Sequence, residues 1–165
     1  EPGKGTKFTV EIPLELASEE DICKKELPEQ TFMTDKNIGK CILLAEDNEL
    51  NAEIAMELLK EEGFLIDWVK DGQECFDKLK ESDEGYYDLI LMDIQMPILN
   101  GYDTTAKIRQ MENPKKAATP IVAMTANAFE EDIAMTQKVG MNGFIAKPLD
   151  AEKMFTILKQ SIVEN

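Results

Sequence analysis

From Lys40 to the end of the chain, two hydrophobic patterns alternate. Short apolar runs read as strands: CILLAED (41–47), LIDWVK (65–70), DLILMD (88–93), PIVAMTA (120–126) and GFIAKP (143–148). Each is followed by a helical stretch: NAEIAMELLKEEG (51–63), DGQECFDKLKES (71–82), GYDTTAKIRQME (101–112), AFEEDIAMTQKVG (128–140) and DAEKMFTILKQSIVE (150–164). In the first of these, Ala55, Leu58 and Leu59 recur at helical spacing and Gly63 marks the stop. The run Leu89–Ile90–Leu91–Met92 is apolar on both faces, which suits a strand covered by helices above and below. Five strand-then-helix repeats with short connections predict an α/β fold: a doubly wound, five-stranded parallel sheet of order 2-1-3-4-5 with helices on both faces. In such a sheet, ligands collect outside the carboxyl ends of the strands.

Residues 1–39 stand outside this repeat. Phe8, Val10, Ile12 and Leu14 alternate with Thr9 and Glu11, the pattern of a half-buried strand, and Pro13 puts its end at a sheet edge. Residues 17–39 read as a polar connector with one helical turn in SEEDICKKEL.

The strand ends share a chemistry. The first predicted strand ends in Glu46–Asp47, the third in Asp93, the fourth in Thr125 and the fifth in Lys147. Strands one and three are neighbours in the expected order, so three carboxylates meet in one crevice beside a hydroxyl and an ammonium. Carboxylates so close repel, and one is expected to hold its proton unless a cation relieves it. Mg²⁺ suits such a site, because it takes one or two carboxylates, keeps waters and accepts phosphate oxygens. Phosphoryl transfer is mostly positioning and charge neutralisation, and a carboxylate such as Asp93 can carry the phosphoryl group covalently.

Composition narrows the field. The chain has 165 residues, 43% of them hydrophobic and 31% charged, enough for one ordinary core and a little more. A net charge of −15 argues against nucleic acid and against anionic membrane surfaces as partners. No apolar run approaches the roughly 20 residues that span a bilayer, and the first residues lack a secretory signal's apolar core. Cys23, Cys41 and Cys75 lie far apart, and Cys41 and Cys75 read as core thiols of a cytosolic protein. There is no histidine, which removes every Ser-His or Cys-His mechanism and every His-ligated metal.

LLAEDNELN, LILMDIQMPILNGYD, PIVAMTAN and GFIAKP, in this order, resemble the motifs of the response-regulator receiver domain, over residues 40–165. The resemblance implies that Asp93 is the phosphoacceptor and Asp47 a direct Mg²⁺ ligand. It implies that Glu46 acts on the ion through water, that the Gln95 carbonyl completes the protein ligands, and that Thr125, Lys147 and the Ala126 N–H bind phosphoryl oxygens. It further implies a cis bond at Lys147–Pro148, and a switch in which Thr125 moves inward and Phe144 packs behind it. That switch alters the face made by the fourth helix, fifth strand and fifth helix. On residues alone, an aromatic such as Phe144 on a strand reads equally as core.

GKGTKFTVEIPLEL resembles the last glycine box and final strand of the ATP-binding domain of histidine kinases, through Gly3, Gly5, Thr6 and Phe8. The expected organisation is therefore a kinase-domain remnant (1–16), a linker (17–39) and a receiver (40–165), as in a hybrid sensor histidine kinase. The implied partners are the phosphohistidine donor domain of the parent chain and a histidine phosphotransfer domain. The expected location is cytoplasmic, compatible with a parent anchored in the inner membrane. The segment lacks the other ATP-binding motifs, so it is not itself expected to be a kinase. GKGT does not have Walker spacing, no G-x-G-x-x-G follows the first strand, and Gln95 stands where a haloacid-dehalogenase-type phosphatase needs a second Asp. Two classes stay open: a phosphoacceptor switch, and a binding module of the same fold that works without phosphorylation.

Overall fold

In a computed structural model of the chain, residues 37, 39–126 and 130–163 are described. The expected strand at 8–14, most of the connector at 17–39, and Cys23 lie outside them. Five strands, β1 (Cys41–Ala45), β2 (Leu65–Val69), β3 (Leu89–Asp93), β4 (Ile121–Thr125) and β5 (Gly143–Ala146), form one parallel sheet in the order β2-β1-β3-β4-β5. The expected fold class and strand order are the observed ones. β1, β3 and β4 are buried along their whole length, as their unbroken apolar runs require.

Five helices connect and follow the strands: α1 (Glu49–Glu61), α2 (Gly72–Glu81), α3 (Gly101–Arg109), α4 (Glu130–Lys138) and α5 (Ala151–Val163). α1 and α5 cover one face of the sheet. Ala52, Ala55, Leu59, Met154 and Leu158 pack there against Ile42, Leu44, Leu91 and Met124. α2 and α3 cover the other, where Cys75, Leu79 and Ile108 meet Leu43, Ala45, Ile90 and Met92. Both Cys41 and Cys75 are buried free thiols, as the sequence suggests. Among the described residues, no helix is long and apolar enough to cross a membrane.

Several boundaries differ from the expected ones, for reasons of backbone chemistry. α1 starts two residues earlier than the apolar periodicity suggests, because the Asn48 side chain accepts the Asn51 N–H and caps the helix there. Asp71 likewise caps α2, and Asn100 caps α3. Pro114, expected only to end a helix, opens a four-residue helical turn, Pro114–Ala117, capped by Asn113. Proline fits a first helical position, where its missing N–H is no loss. β1 ends at Ala45 and β5 at Ala146, so Glu46, Asp47 and Lys147 lie just past the ladder rather than within it.

Candidate functional site

Parallel pairing brings the strand ends to one edge. Ala45 is in register with Met92, Asp93 with Met124, and Thr125 with Ala146. The residue or residues after each of four adjacent strands, or the last residue within them, are therefore neighbours. Glu46, Asp47, Asn48, Asn51, Asp93, Ile94, Gln95, Thr125, Ala126 and Lys147 line one cleft of about 260 Å³. Of the residues expected at the site, Glu46, Asp47, Asp93, Gln95, Thr125, Ala126 and Lys147 are together in it. Phe144 and Pro148 line a separate groove of about 920 Å³ along β5 and α5, which Lys147 also borders. Phe144 is half-buried against the α2–α3 side of the core, and the Lys147–Pro148 bond is cis.

Each side chain is held by its local structure. β3 carries Asp93 to the sheet edge, where the start of α3 presses against it. The Gly101 N–H donates to the Ile94 carbonyl (3.0 Å), and a Cβ at Gly101 would fall 2.4 Å from the Asp93 carbonyl oxygen, so only glycine permits this approach. The backbone N–H of Gln95 donates to Asp93 Oδ1 (3.1 Å). Lys147 Nζ, 2.6 Å from Asp93 Oδ2 and 2.6 Å from Glu46 Oε2, bridges the two acids. Its backbone N–H donates to the Thr125 carbonyl (2.8 Å), which ties it to the end of β4.

Glu46 is the most buried of the three acids, with its side chain 1% exposed. Its Oε1 accepts from Asn51 Nδ2 (2.9 Å), and its backbone carbonyl accepts from Trp68 Nε1 (2.8 Å). Burial pushes the Glu46 carboxyl above the usual range, and neighbouring Asp93 adds to the rise, although Lys147 and Asn51 both oppose it. The sequence predicts such an acid without saying which it is. For Lys147, burial works against the charge, yet the hydrogen bonds to Asp93 and Glu46 prevail and hold its pKa above the ordinary value.

Carboxylate oxygens of Glu46, Asp47 and Asp93 all lie within 4.8 Å of one another, and Asp47 is open to solvent. A set of hard oxygen donors on an open cleft fits a hard divalent cation better than a soft or nitrogen-seeking one. In the same cleft, Lys147 supplies a fixed positive charge and Thr125 a buried hydroxyl group.

Sequence reasoning does not single out two residues the structure makes prominent. Asn51 opens the first predicted helix, and its position, one turn beyond the acids of the first strand, is a signal that an amide could reach back to them. Nothing in the sequence sets Arg109 apart from the other charges of the third predicted helix. It donates to the carbonyls of Gly140, Ala117 and Thr119 (2.9, 2.6 and 2.9 Å) and to Asn142 Oδ1 (3.1 Å).

Residues 42–159 match the family model described as the response regulator receiver domain. Among curated proteins, the chain is 42% identical over 122 residues to the osmosensing histidine protein kinase SLN1 of Saccharomyces cerevisiae, covering 72% of this chain and 10% of that protein. It is 37% identical over 127 residues to hybrid signal transduction histidine kinase I of Dictyostelium discoideum, covering 76% of this chain and 7% of that protein. Against the autoinducer 2 sensor kinase/phosphatase LuxQ of Vibrio cholerae it is 34% identical over 163 residues, covering 96% of this chain and 18% of that protein. The chain thus spans under a fifth of the length of each. Among solved structures, the receiver domain of a sensor histidine kinase of Pseudomonas aeruginosa, with magnesium coordinated in its active site cleft, superposes with a TM-score of 0.68 at 36% identity. That match covers 76% of this chain and 98% of the other. The chemotaxis protein CheY4 of Vibrio cholerae, at 22% identity and a TM-score of 0.67 over 74% of this chain and 98% of that one, shares the fold.

Proposed function

The chain belongs to the response regulator receiver domain family, and on that premise we propose that Asp93 accepts a phosphoryl group from a phosphohistidine and that the modified chain acts as a signalling switch. The observation that carries the proposal is the placement of Asp93 beside a fixed ammonium, Lys147, and within one cluster of three carboxylates with Glu46 and Asp47. A lone buried carboxylate is a poor acceptor of a dianionic group. One flanked by Lys147 and by an acidic cluster fit for a divalent cation has its charge problem solved in advance.

In the transfer, an Asp93 carboxylate oxygen forms a bond to phosphorus as the N–P bond of the phosphohistidine breaks. The bonding pair leaves with the imidazole nitrogen. Lys147 turns from its bridge between the acids to the phosphoryl oxygens, and the Thr125 hydroxyl and Ala126 N–H donate to them as well. Asp47, Asp93, Glu46 and the Gln95 carbonyl would hold Mg²⁺, which supplies charge neutralisation on the transferring group. The product is a mixed anhydride, labile to hydrolysis, and so suits a transient signal. Thr125 drawn toward the phosphoryl group leaves space for Phe144, and the face of α4, β5 and α5 changes with it.

The donor is proposed to be the histidine-bearing domain of a longer parent protein, and the next acceptor a histidine phosphotransfer domain. Support comes from the relatives, which by name are a hybrid histidine kinase, an osmosensing histidine protein kinase and a sensor kinase/phosphatase. The LuxQ match extends over 96% of the chain, which favours reading residues 1–16 as the end of a kinase ATP-binding domain and 17–39 as a linker. A cytoplasmic location is proposed with it, because a donor charged from ATP would meet the receiver there.

The test is intact mass after incubation with acetyl phosphate, with Mg²⁺ or with EDTA, on wild type and Asp93→Asn. One phosphoryl adduct is expected, dependent on both Mg²⁺ and Asp93. No adduct from acetyl phosphate or from a phosphohistidine protein would overturn the proposal and leave a protein-binding module of receiver fold.

A further inference from the structure

Glu46 is a buried acid whose two carboxylate oxygens are held in different ways. Oε2 shares Lys147 with Asp93, both at 2.6 Å, whereas Oε1 accepts from Asn51 Nδ2 at 2.9 Å. A carboxylate only accepts, so the Asn51 side chain must face it with its amide nitrogen. The backbone of Glu46 is fixed independently. Its N–H donates to the Val69 carbonyl (3.1 Å), and its carbonyl accepts from Trp68 Nε1 (2.8 Å). The remaining freedom of Glu46 is in its side chain, which Asn51 and Lys147 restrain.

These two donors are not equivalent. Phosphorylation of Asp93 calls Lys147 to the phosphoryl oxygens, which takes from Glu46 Oε2 its ammonium donor. A buried carboxylate that loses a donor is less well held, and its side chain is free to swing out of place unless another donor fixes it. Asn51 is a donor to the Glu46 carboxylate that the chemistry at Asp93 does not require. It is also well anchored: it lies on the first turn of α1, and its own backbone N–H is fixed by the Asn48 cap (3.1 Å).

We propose that Asn51 is a positioning residue for the acceptor site: its amide keeps the Glu46 carboxylate aimed into the cleft while Lys147 changes partners, and so sets the Mg²⁺ affinity of the site. The inference rests on the phosphoacceptor reading. It concerns how the metal-holding acids are kept in place rather than which residue is modified.

The experiment measures Mg²⁺ binding by calorimetry, with the fluorescence of Trp68, the chain's one tryptophan, as a second readout, for wild type, Asn51→Ala and Asn51→Leu. Alanine removes the side chain. Leucine keeps its approximate shape without a donor. Both residues favour a helix more than asparagine does, so α1 is retained, and thermal midpoints check this. Deleting a partner that orients a metal ligand costs 10- to 100-fold in affinity as a rule, and both variants are expected to weaken Mg²⁺ binding by about 10-fold. In phosphorylation from acetyl phosphate, the loss falls mainly on the Mg²⁺ concentration giving half-maximal rate, and less on the limiting rate.

If either variant binds Mg²⁺ within about twofold of wild type, a change of only ~0.4 kcal/mol, the role of Asn51 is overturned while the acceptor site stands. If wild type itself neither binds Mg²⁺ nor gains an adduct, the phosphoacceptor reading falls, and this inference with it.

Discussion

Ile98, five residues beyond Asp93, has φ 64° and is 81% exposed. The Leu99 N–H donates to the Pro97 carbonyl (2.7 Å), which closes a three-residue turn about Ile98 with the rarer, strained hand of φ. A β-branched residue is a poor occupant of positive φ, at a cost of about 1–2 kcal/mol, and an exposed side chain recovers little of this by burial. Ile98→Gly is therefore expected to stabilise the fold by about 0.5–1 kcal/mol, after allowing for glycine's greater freedom in the unfolded chain. The readout is a higher urea midpoint at unchanged slope, followed through Trp68. A lower midpoint would mean that the Ile98 side chain makes a contact worth more than the strain. At this scale, legibility depended on whether chemistry or conformation was at issue. Asp93, Asp47, Glu46 and Lys147 were readable because a charge at the end of an apolar strand is conspicuous. The strain at Ile98 was not, because the residue type that occupies a turn does not report its φ. Asn51 was not, because a polar residue on the first turn of a helix usually faces water.

Between the strands, the connection that follows α3 is the least regular, and Arg109 holds it. Its guanidinium reaches three carbonyls on two separate segments, Ala117 and Thr119 before β4 and Gly140 before β5, and it also reaches Asn142 Oδ1. Asn142 Oδ1 in turn accepts the Ile121 N–H (2.9 Å), so one network joins α3, the Pro114–Ala117 turn, the end of α4 and the start of β4. Burial pulls the pKa of Arg109 down, but a guanidinium stays charged, so the charge is met here by carbonyl dipoles rather than by a carboxylate. Hydrogen bonds to a charged group contribute about 1.5–3 kcal/mol, and Arg109→Met, which keeps the stem but no donor, is expected to cost about 2–3 kcal/mol. Amide exchange should accelerate selectively at residues 139–142. If exchange there is unchanged, the arginine does not hold the α4–β5 connection. Arg109→Lys should recover little, because an ammonium cannot span this fork of acceptors. The elements themselves followed from hydrophobic periodicity, and most of the errors were at their ends. Caps by Asn48 and Asp71 set helix starts one or two residues from those the periodicity predicts, and Pro114 begins a helical turn where the sequence predicts only the end of a helix.

Across the whole molecule, strand order and layering followed from five repeats and the right-handed crossover rule, whereas the response of the fold to pH depends on groups the sequence placed only roughly. Two of these lie away from the acceptor cleft. Cys75 on α2 is buried, which pushes its thiol far above the ordinary value of 9.0. Tyr87, just before β3, is raised from 10.0 first by burial and then by donating to Asp67 Oδ2 at 2.6 Å, a hydrogen bond that ionisation would destroy. Both are acids whose proton is held more tightly in the folded chain than in the unfolded one. Their contribution to stability is complete below the unfolded values. Above about pH 9 the unfolded chain ionises first at Cys75, and above about pH 10 at Tyr87, so stability falls as pH rises. Each such group steepens the decline by about 1.4 kcal/mol per pH unit once its unfolded form is ionised. Urea midpoints between pH 7 and 10.5 should therefore drop in wild type. Cys75→Ala leaves a cavity and starts lower at pH 7, and Tyr87→Phe forfeits its hydrogen bond to Asp67, so the slopes must be compared rather than the levels. The slope above pH 9 should be shallower in Cys75→Ala, and the slope above pH 10 shallower in Tyr87→Phe. Parallel curves for all three proteins would mean that these groups ionise as easily folded as unfolded, and that the alkaline loss comes instead from the self-repulsion of a chain carrying a net charge of −15. Added salt separates these two causes, because it screens the diffuse repulsion but leaves the desolvation of a buried thiol or phenol unchanged.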